Sequence, residues 1–430
     1  MLIEFKVGNF LSFKDNVTLS MVASPDREHL DTNTIKVNDK LRLIKSAAIY
    51  GANASGKSNL FEAMNFMRNF ILTSAKESIS TEKIPVERFR LSTETEKIPS
   101  TFEAIFIIDN IRYRYGFQVD RERVHNEWLF YVPTIRESTL FIREKDNIKL
   151  GSHFKEGRGL QEKTRPNALF LSVSDQFNGK IAKRILRWIK NFKVISALDN
   201  SEEQSFTIFS LDDKEFKDFI LKFLKAADIG IKGLSKKSIP LTEKDIPGEL
   251  PEKLKKELYS KLTELEIVEV NSIRQKYDNN KKPVSDENFD FESRESAGTR
   301  ALFALSAPIY YTLKHNTILA VDELTSKLHP LLTRAIIEIF HNYNCDKDNK
   351  LQSQAQLIFA SQDTNILSNQ LFRRDQVWFT QKDEYGASEL YSLEEYRVRK
   401  DASFNKDYIM GKYGAIPFIG DIDSLFERRK

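Results

Sequence analysis

The chain opens on two short stretches, LIEFKVGNF and NVTLSMV, in which apolar residues recur at alternate positions. A period of two sends successive side chains to opposite faces, so the pair predicts a surface β-hairpin. After a polar stretch comes LIKSAAIYG, nearly all small or apolar, the composition of a strand buried on both faces. From Ser58 to about Ala75 the residues Leu60, Phe61, Met64, Phe66, Met67 and Phe70 recur at helical spacing and predict one amphipathic helix. The period returns to two through TFEAIFIIDNIRYRYGFQVDRERVHNEWLFYV, rich in Ile, Phe, Tyr and Val and broken at Asp109-Asn110 and from Asp120 to Arg123. Breaks of that kind predict antiparallel hairpins, an inserted β-subdomain over residues 85–150.

Residues 175–265 read as a helical insertion, with IAKRILRWIKNF and KEFKDFILKFLKAAD as its clearest segments and IPGELPEKLKKELYSKL after them. No heptad register persists long enough for a coiled coil. Further on, NTILAVDEL and AQLIFASQ are short apolar runs ending in polar residues, with the helical stretch LLTRAIIEIFHNY between them. Strands alternating with helices need crossover connections, which predicts an α/β fold with a parallel sheet.

Composition narrows the partners. The chain has 430 residues, 40% of them apolar, enough for a large core. Lys and Arg total 66 against 62 Asp and Glu, a formal charge of +4, which excludes a polybasic coat and leaves room for a local patch. The candidate patch is Lys180, Lys183, Arg184, Arg187, Lys190 and Lys193, on a helix whose apolar face is Ile181, Ile185, Trp188 and Phe192. Such a face could track DNA phosphates, or be simply solvated, or dock a protein. The single cysteine, Cys345, excludes an intramolecular disulfide and a cysteine metal cluster, and points to a reducing compartment. No apolar run approaches the roughly 20 residues of a membrane span, and Glu4 interrupts any leader-like start, so a cytoplasmic protein without membrane contact is expected. His29, His125, His153, His315, His329 and His341 show no metal-ligand spacing; His329 stands nearest the motifs below.

Those motifs begin where the buried strand ends. Gly51-Ala52-Asn53-Ala54-Ser55-Gly56-Lys57-Ser58 satisfies GxxxxGK[ST] between a predicted strand and a predicted helix. Glycines let backbone N–H groups turn toward phosphate oxygens, and the new helix aims its positive end at the same place. Lys57 supplies a point charge for the β- and γ-phosphates and Ser58 a hydroxyl for Mg²⁺; Asn59 continues the loop into the helix. ATP with Mg²⁺ is the expected ligand. A second apolar strand ends in Asp322-Glu323. Asp322 is placed to steady Mg²⁺ and Glu323 to accept a proton from an attacking water, although such a run also describes a strand entering a solvated turn. Ahead of it, Glu295-Ser296-Ala297-Gly298-Thr299-Arg300 starts an apolar helix, which makes either an anion site or a plain N-cap. A P-loop, then Ser-x-Gly at a helix start, then a strand ending Asp-Glu is the order found in ABC-type ATPase heads.

The blocks FKVGNFLSFKD, YGANASGKSNL, RYGFQVD, NALFLSVSDQFN, ESAGTRALFALSAPI, VDELTSKLHPLL, LIFASQDTNIL and YGAIPFIGDI resemble the overcoming-lysogenization and abortive-infection group of bacterial ATPases. The resemblance spans nearly the whole chain. It implies an α/β, ABC-type P-loop ATPase head with a mixed sheet, its core split over residues 1–75 and 290–400, carrying the β-subdomain and the helical insertion, with residues 400–430 as a tail packed on the head. It implies an ATPase that dimerises around ATP, and a part in anti-phage defence. By position, Gly51, Asn53, Gly56, Lys57 and Ser58 resemble Walker A, with Ala54, Ser55 and Asn59 beside them. Asp322 and Glu323 resemble Walker B, and Ser296, Gly298 and Thr299 the signature that closes over a partner's γ-phosphate. Ser326 to His329 match the loop after Walker B. Thr325 stands where the group has Asp, and Gln362 where it has a switch histidine. Glutamine can hold a phosphate or a water but cannot become an imidazolium, so slow hydrolysis is expected. Relatives that cut nucleic acid carry a TOPRIM domain; here Asp421-Ile422-Asp423 reads better as an acidic tail, so a separately encoded nuclease or toxin is the implied effector. A DNA-repair ATPase of the RecF or structural-maintenance kind, and a nucleotide-gated module with little hydrolysis, are the alternatives.

Overall fold

A computed structural model gives the structure of the protein and describes residues 1–76, 79, 81–198, 201–227, 229–240, 266–346, 351–399 and 402–417. Contacts divide the chain into two units, one made of the segments up to Leu198 and from Tyr311, the other of the residues between them.

The first unit holds two large sheets. One is antiparallel and seven-stranded: β1 (Leu2–Gly8), β2 (Val17–Ser20), β6 (Ser100–Ile108), β7 (Ile111–Val119), β8 (Val124–Val132), β9 (Ser138–Glu144) and β10 (Asn147–Leu150), in the order β10-β9-β8-β7-β6-β1-β2. The hairpin expected at the surface is therefore interior on one side, because the free edge of β1 takes β6 in register from Leu2 opposite Phe106 to Gly8 opposite Thr101. The strands expected as a separate β-subdomain share this sheet with the start of the chain. A small sheet of β3 (Thr34–Lys36) and β4 (Arg42–Ile44) follows α1 (Leu30–Asn33).

The other large sheet runs β11-β15-β18-β5-β19-β20, from β5 (Ser46–Tyr50), β11 (Phe192–Ser196), β15 (Ile318–Asp322), β18 (Gln356–Ala360), β19 (Val377–Lys382) and β20 (Ser388–Ser392). It is parallel except for the β19–β20 hairpin. β5 lies between β18 and β19 and is buried at every residue, which is why its sequence, SAAIY, shows no alternation. β16 (Asn344–Asp346) pairs with β17 (Leu351–Gln352) beside it in sequence.

Between the sheets runs α2 (Lys57–Thr73), touching β1 on one side and β11 and β15 on the other. Two flanking layers explain its wide apolar face: Leu60, Phe61, Ala63, Met64, Met67, Phe70 and Ile71 are all buried. Phe66 meets Phe102 of β6 at 4.8 Å and Phe70 meets Phe117 of β7 at 5.5 Å between ring centroids. Truncating either ring to Ala would cost about 3–5 kcal/mol. α3 (Phe170–Gln176) is held by a buried pair: Glu127 of β8 accepts from the N–H groups of Phe170 and Leu171 at 2.7 and 3.0 Å, while Arg143 of β9 donates to the carbonyls of Ala168 and Arg165. α4 (Lys180–Asn191) docks through Trp188, stacked on Phe106 at 4.1 Å. The stretch expected to be one helical insertion is thus divided, since α3 and α4 lie on the first unit and WIKNFKVIS leads into the parallel strand β11 rather than more helix. A strand of five residues after a helix leaves too few positions for a period to declare itself.

The second unit contains α5 (Ser201–Ser210), α6 (Lys214–Ala226) and an antiparallel sheet of β12 (Gly233–Pro240), β13 (Glu266–Tyr277) and β14 (Pro283–Asp290). β14, PVSDENFD, is exposed throughout, so no hydrophobic alternation marks it in the sequence. IPGELPEKLKKELYSKL and Asp421-Ile422-Asp423 lie outside the described residues.

Candidate nucleotide site

The carboxyl ends of β5, β15 and β18 are neighbours in the parallel sheet, and each feeds one part of the site. From β5 the chain turns through Gly51 to Gly56 into α2. Gly56 has φ 113°, a conformation side chains rarely adopt, and a Cβ there would lie 2.4 Å from Ser388 Oγ. At Gly51 a Cβ would lie 2.4 Å from the Thr380 carbonyl oxygen. Ala54 also takes a positive φ, 60°, at the exposed crest of the loop beside the exposed Asn53.

Lys57 folds back into the loop, where its Nζ donates to the carbonyls of Gly51 at 2.8 Å and Ala52 at 2.9 Å. Burial holds its ammonium below the ordinary lysine value, opposed by the attraction of Glu323 and Asp322. Beneath the loop lies a set of polar side chains. Ser55 Oγ meets Thr380 Oγ1 at 2.6 Å, Ser388 Oγ donates to the Ser55 carbonyl at 2.7 Å, and the hydroxyls of Ser388 and Ser12 meet at 2.8 Å. Asn59 Nδ2 completes the set by donating to Ser12 Oγ at 2.6 Å. Ser12 comes from the start of the chain and Thr380 and Ser388 from the β19–β20 hairpin near its other end, and no motif marks them; Ser12 falls within FKVGNFLSFKD but carries no chemical signal there.

At the end of β15, Asp322 Oδ1 is buried and has no hydrogen-bond partner. Burial raises the Asp322 carboxyl above its ordinary value; the Ser58 hydroxyl beside it pulls the other way, and Glu323 adds to the rise. A buried carboxylate oxygen with no donor is costly unless something else supplies positive charge. Ser58 and Asp322 are hard oxygen donors of the kind Mg²⁺ takes, so the residues present fit that ion. Glu323 follows in the left-handed region at φ 57°, and its Oε1 accepts from Gln362 Nε2 at 3.2 Å. The loop bearing Gln362 is fixed by Ser361 N–H to the Ile49 carbonyl at 3.0 Å and by the Tyr50 hydroxyl to the Asp363 carbonyl at 3.2 Å. Thr325 Oγ1 and Ser361 Oγ lie 3.3 Å apart. His329 is a helix cap: its Nδ1 accepts from the Leu331 N–H at 3.2 Å, ahead of the helix Pro330–Asn342.

Ser296, Gly298 and Thr299 belong to the second unit. The Ser296 hydroxyl accepts from the Thr299 N–H at 3.1 Å and meets Thr299 Oγ1 at 2.9 Å, the geometry of an N-cap on the helix Ala297–His315. Ser296 itself is exposed. The preceding residue, Glu295, is buried and receives Arg274 Nη2 on both oxygens at 2.9 and 2.8 Å and the Ser272 hydroxyl at 2.6 Å, which ties the helix start to β13. The sequence shows Glu295 at the helix start but not its pairing with Arg274, which joins positions 21 apart.

Among the described residues no helix is long and apolar enough to cross a membrane. Solved structures similar to the chain include an SMC head domain from Thermotoga maritima, 11% identical with a TM-score of 0.39, covering 91% of this chain and 98% of that one. A structure of the recombination mediator protein RecF-ATP in the RecFOR pathway is 13% identical with a TM-score of 0.32, covering 85% of this chain and 94% of that one. No curated protein matches. The family described as "AAA domain, putative AbiEii toxin, Type IV TA system" matches residues 46–368, and the chain belongs to it, an α/β protein with an ABC-like P-loop ATPase domain.

Proposed function

We propose that the chain binds ATP with Mg²⁺ at the Gly51–Ser58 loop, hydrolyses it slowly, and uses the bound nucleotide to hold a homodimer that controls a separately encoded effector, a nuclease or toxin, in the cytoplasm. The observation that carries this reading is the buried, unpaired Asp322 Oδ1 beside Ser58, next to a P-loop whose lysine is already turned inward. When bound, Mg²⁺ would neutralise phosphate charge between Ser58 and Asp322. Lys57 would exchange its two carbonyl partners for phosphate oxygens, which replaces neutral hydrogen bonds by charge-assisted ones. Gly51, Asn53, Ala54, Ser55, Gly56 and Asn59 would supply the loop around the phosphates, and Glu323 would accept the proton of the attacking water. Gln362 already occupies one oxygen of Glu323, and it can orient that carboxylate but not donate a full positive charge, which supports slow turnover and a clamp-like role.

In the dimer, Ser296, Gly298 and Thr299 of a second copy would complete each γ-phosphate site. Nucleotide would then sit in the interface, so that association depends on it. The family description names a putative AbiEii toxin and a type IV TA system, which is in line with a part in defence. Glu323→Gln should lower Mg²⁺-dependent phosphate release by roughly 100-fold or more while leaving ATP binding intact. With saturating ATP and Mg²⁺ it should elute as a dimer on size-exclusion chromatography. Unchanged turnover contradicts the role of Glu323, and a monomer under those conditions contradicts the shared site.

A further inference from the structure

Away from the nucleotide site, α4 contributes Lys180, Lys183, Arg184 and Arg187 to a groove of about 750 Å³ whose other wall includes the Asp109-Asn110 turn between β6 and β7. The spacing i, i+3, i+4, i+7 stacks the four cations on one helix face over about 10 Å. All four are exposed. Arg184 has a counter-ion, Asp109, at 3.6 Å; among the described residues no carboxylate lies within ion-pair distance of Lys180, Lys183 or Arg187. KIAKRILRWIKN contains no acidic residue, so nothing on the helix offsets repulsion between its neighbouring cations, and Lys180 stands at the helix end where positive charge is least favoured. A solvated face normally interleaves acids; this one keeps a stripe that costs stability. Glu156 accepts from the N–H groups of Ile181 and Ala182 at 3.0 and 2.9 Å, so the helix-end amides are occupied and the side chains alone carry the positive charge. Trp188, partly exposed, also lines the groove, its ring fixed by the stack on Phe106.

We propose that this groove binds single-stranded nucleic acid, with backbone phosphates on Lys180, Lys183 and Arg187 and a base against Trp188. Charge selects a polyanion, and an aromatic ring amid the cations favours a strand with unstacked bases. The volume is that of a pocket for a small molecule or a few nucleotides. Binding here uses none of the P-loop residues and stands apart from the ATP reading.

The test is fluorescence anisotropy of the full chain with labelled single-stranded DNA and RNA of about 15 nucleotides. The double variant K183E/R187E should bind about tenfold or more weakly, and the slope of log affinity against log salt should shrink by about 1.4, the value for two lost phosphate contacts on a single strand. The charge-keeping K183R/R187K should retain affinity, and both variants should bind ATP as the parent does, which shows that the fold is intact. Equal binding by K183E/R187E and the parent would overturn the proposal. So would a duplex of the same length outcompeting the single strand, or poly-glutamate of equal charge competing as well as the oligonucleotide, which would make an acidic protein segment the better occupant.

Discussion

The two halves of the candidate site are built by opposite means. The P-loop half is finished: Lys57 has two partners, Gly56 sits where only glycine fits, and Ser12, Ser55, Thr380 and Ser388 hold the loop from below. The β15 half is incomplete: Asp322 keeps a buried oxygen without a donor, and Glu323 is held at a left-handed φ with one bond to an exposed glutamine. A loop that must cradle phosphates gains from being pre-shaped, since ordering it on binding would subtract from affinity. A carboxylate that must meet a cation is more useful left unsatisfied, because the cation then relieves a cost already present in the folded chain. Binding energy, in this view, comes from both halves, but only the second should depend on the ion.

Removing the finished half's charge should have the largest effect. Lys57→Ala should weaken ATP binding roughly 100-fold, in line with the loss of charge-assisted hydrogen bonds, in a titration with a fluorescent nucleotide. The loss should appear with or without Mg²⁺, because it falls on the loop. Gly56→Ala attacks the same half through shape. A Cβ 2.4 Å from Ser388 Oγ at φ 113° should cost about 1–3 kcal/mol, read as a lower melting temperature together with weaker ATP binding. If Gly56→Ala melts and binds like the parent, the loop is not pre-shaped as described.

A pH-dependent effect, small near neutrality, tests the foundation of β5. His341 is buried, its Nε2 lies 2.9 Å from the Ser46 hydroxyl and 3.3 Å from Gln376 Nε2, and burial pushes its pKa down to about 3. Below the ordinary histidine value of about 6.5 the unfolded chain takes up a proton that the folded chain refuses. Stability from this group is therefore full above that pH and falls by up to about 1.4 kcal/mol per unit as pH drops toward 3. His341→Gln should flatten that part of a denaturation-against-pH profile. The same slope in parent and variant would mean that His341 is not the group responsible.

Much of this architecture is legible in the sequence where burial decides the residues of an element. β5, β15 and β18 declare themselves as apolar runs, α2 as a 3.6-residue pattern, and β6 to β8 as alternation, because burial alone dictates those residues. The P-loop is legible for a different reason: glycine and lysine at fixed offsets are demanded by backbone geometry and charge. What escapes is what depends on the third dimension. β11 is too short for a period, and β14 buries no side chain that could show one. Ser12, Thr380 and Ser388 act only because the start of the chain and the β19–β20 hairpin, 376 positions apart, meet under Gly56. Ser296 is readable in the sequence either as an anion site or as a cap, and within its own unit it makes the cap.

The most direct test of one ATP site built from both halves is calorimetric titration of ATP into the parent and Asp322→Asn, each with and without Mg²⁺. The account predicts that Mg²⁺ tightens ATP binding about tenfold or more in the parent and has little effect in Asp322→Asn, with ion-free affinity similar in the two. Equal affinity with and without Mg²⁺ in the parent, or an undiminished Mg²⁺ effect in Asp322→Asn, would contradict it.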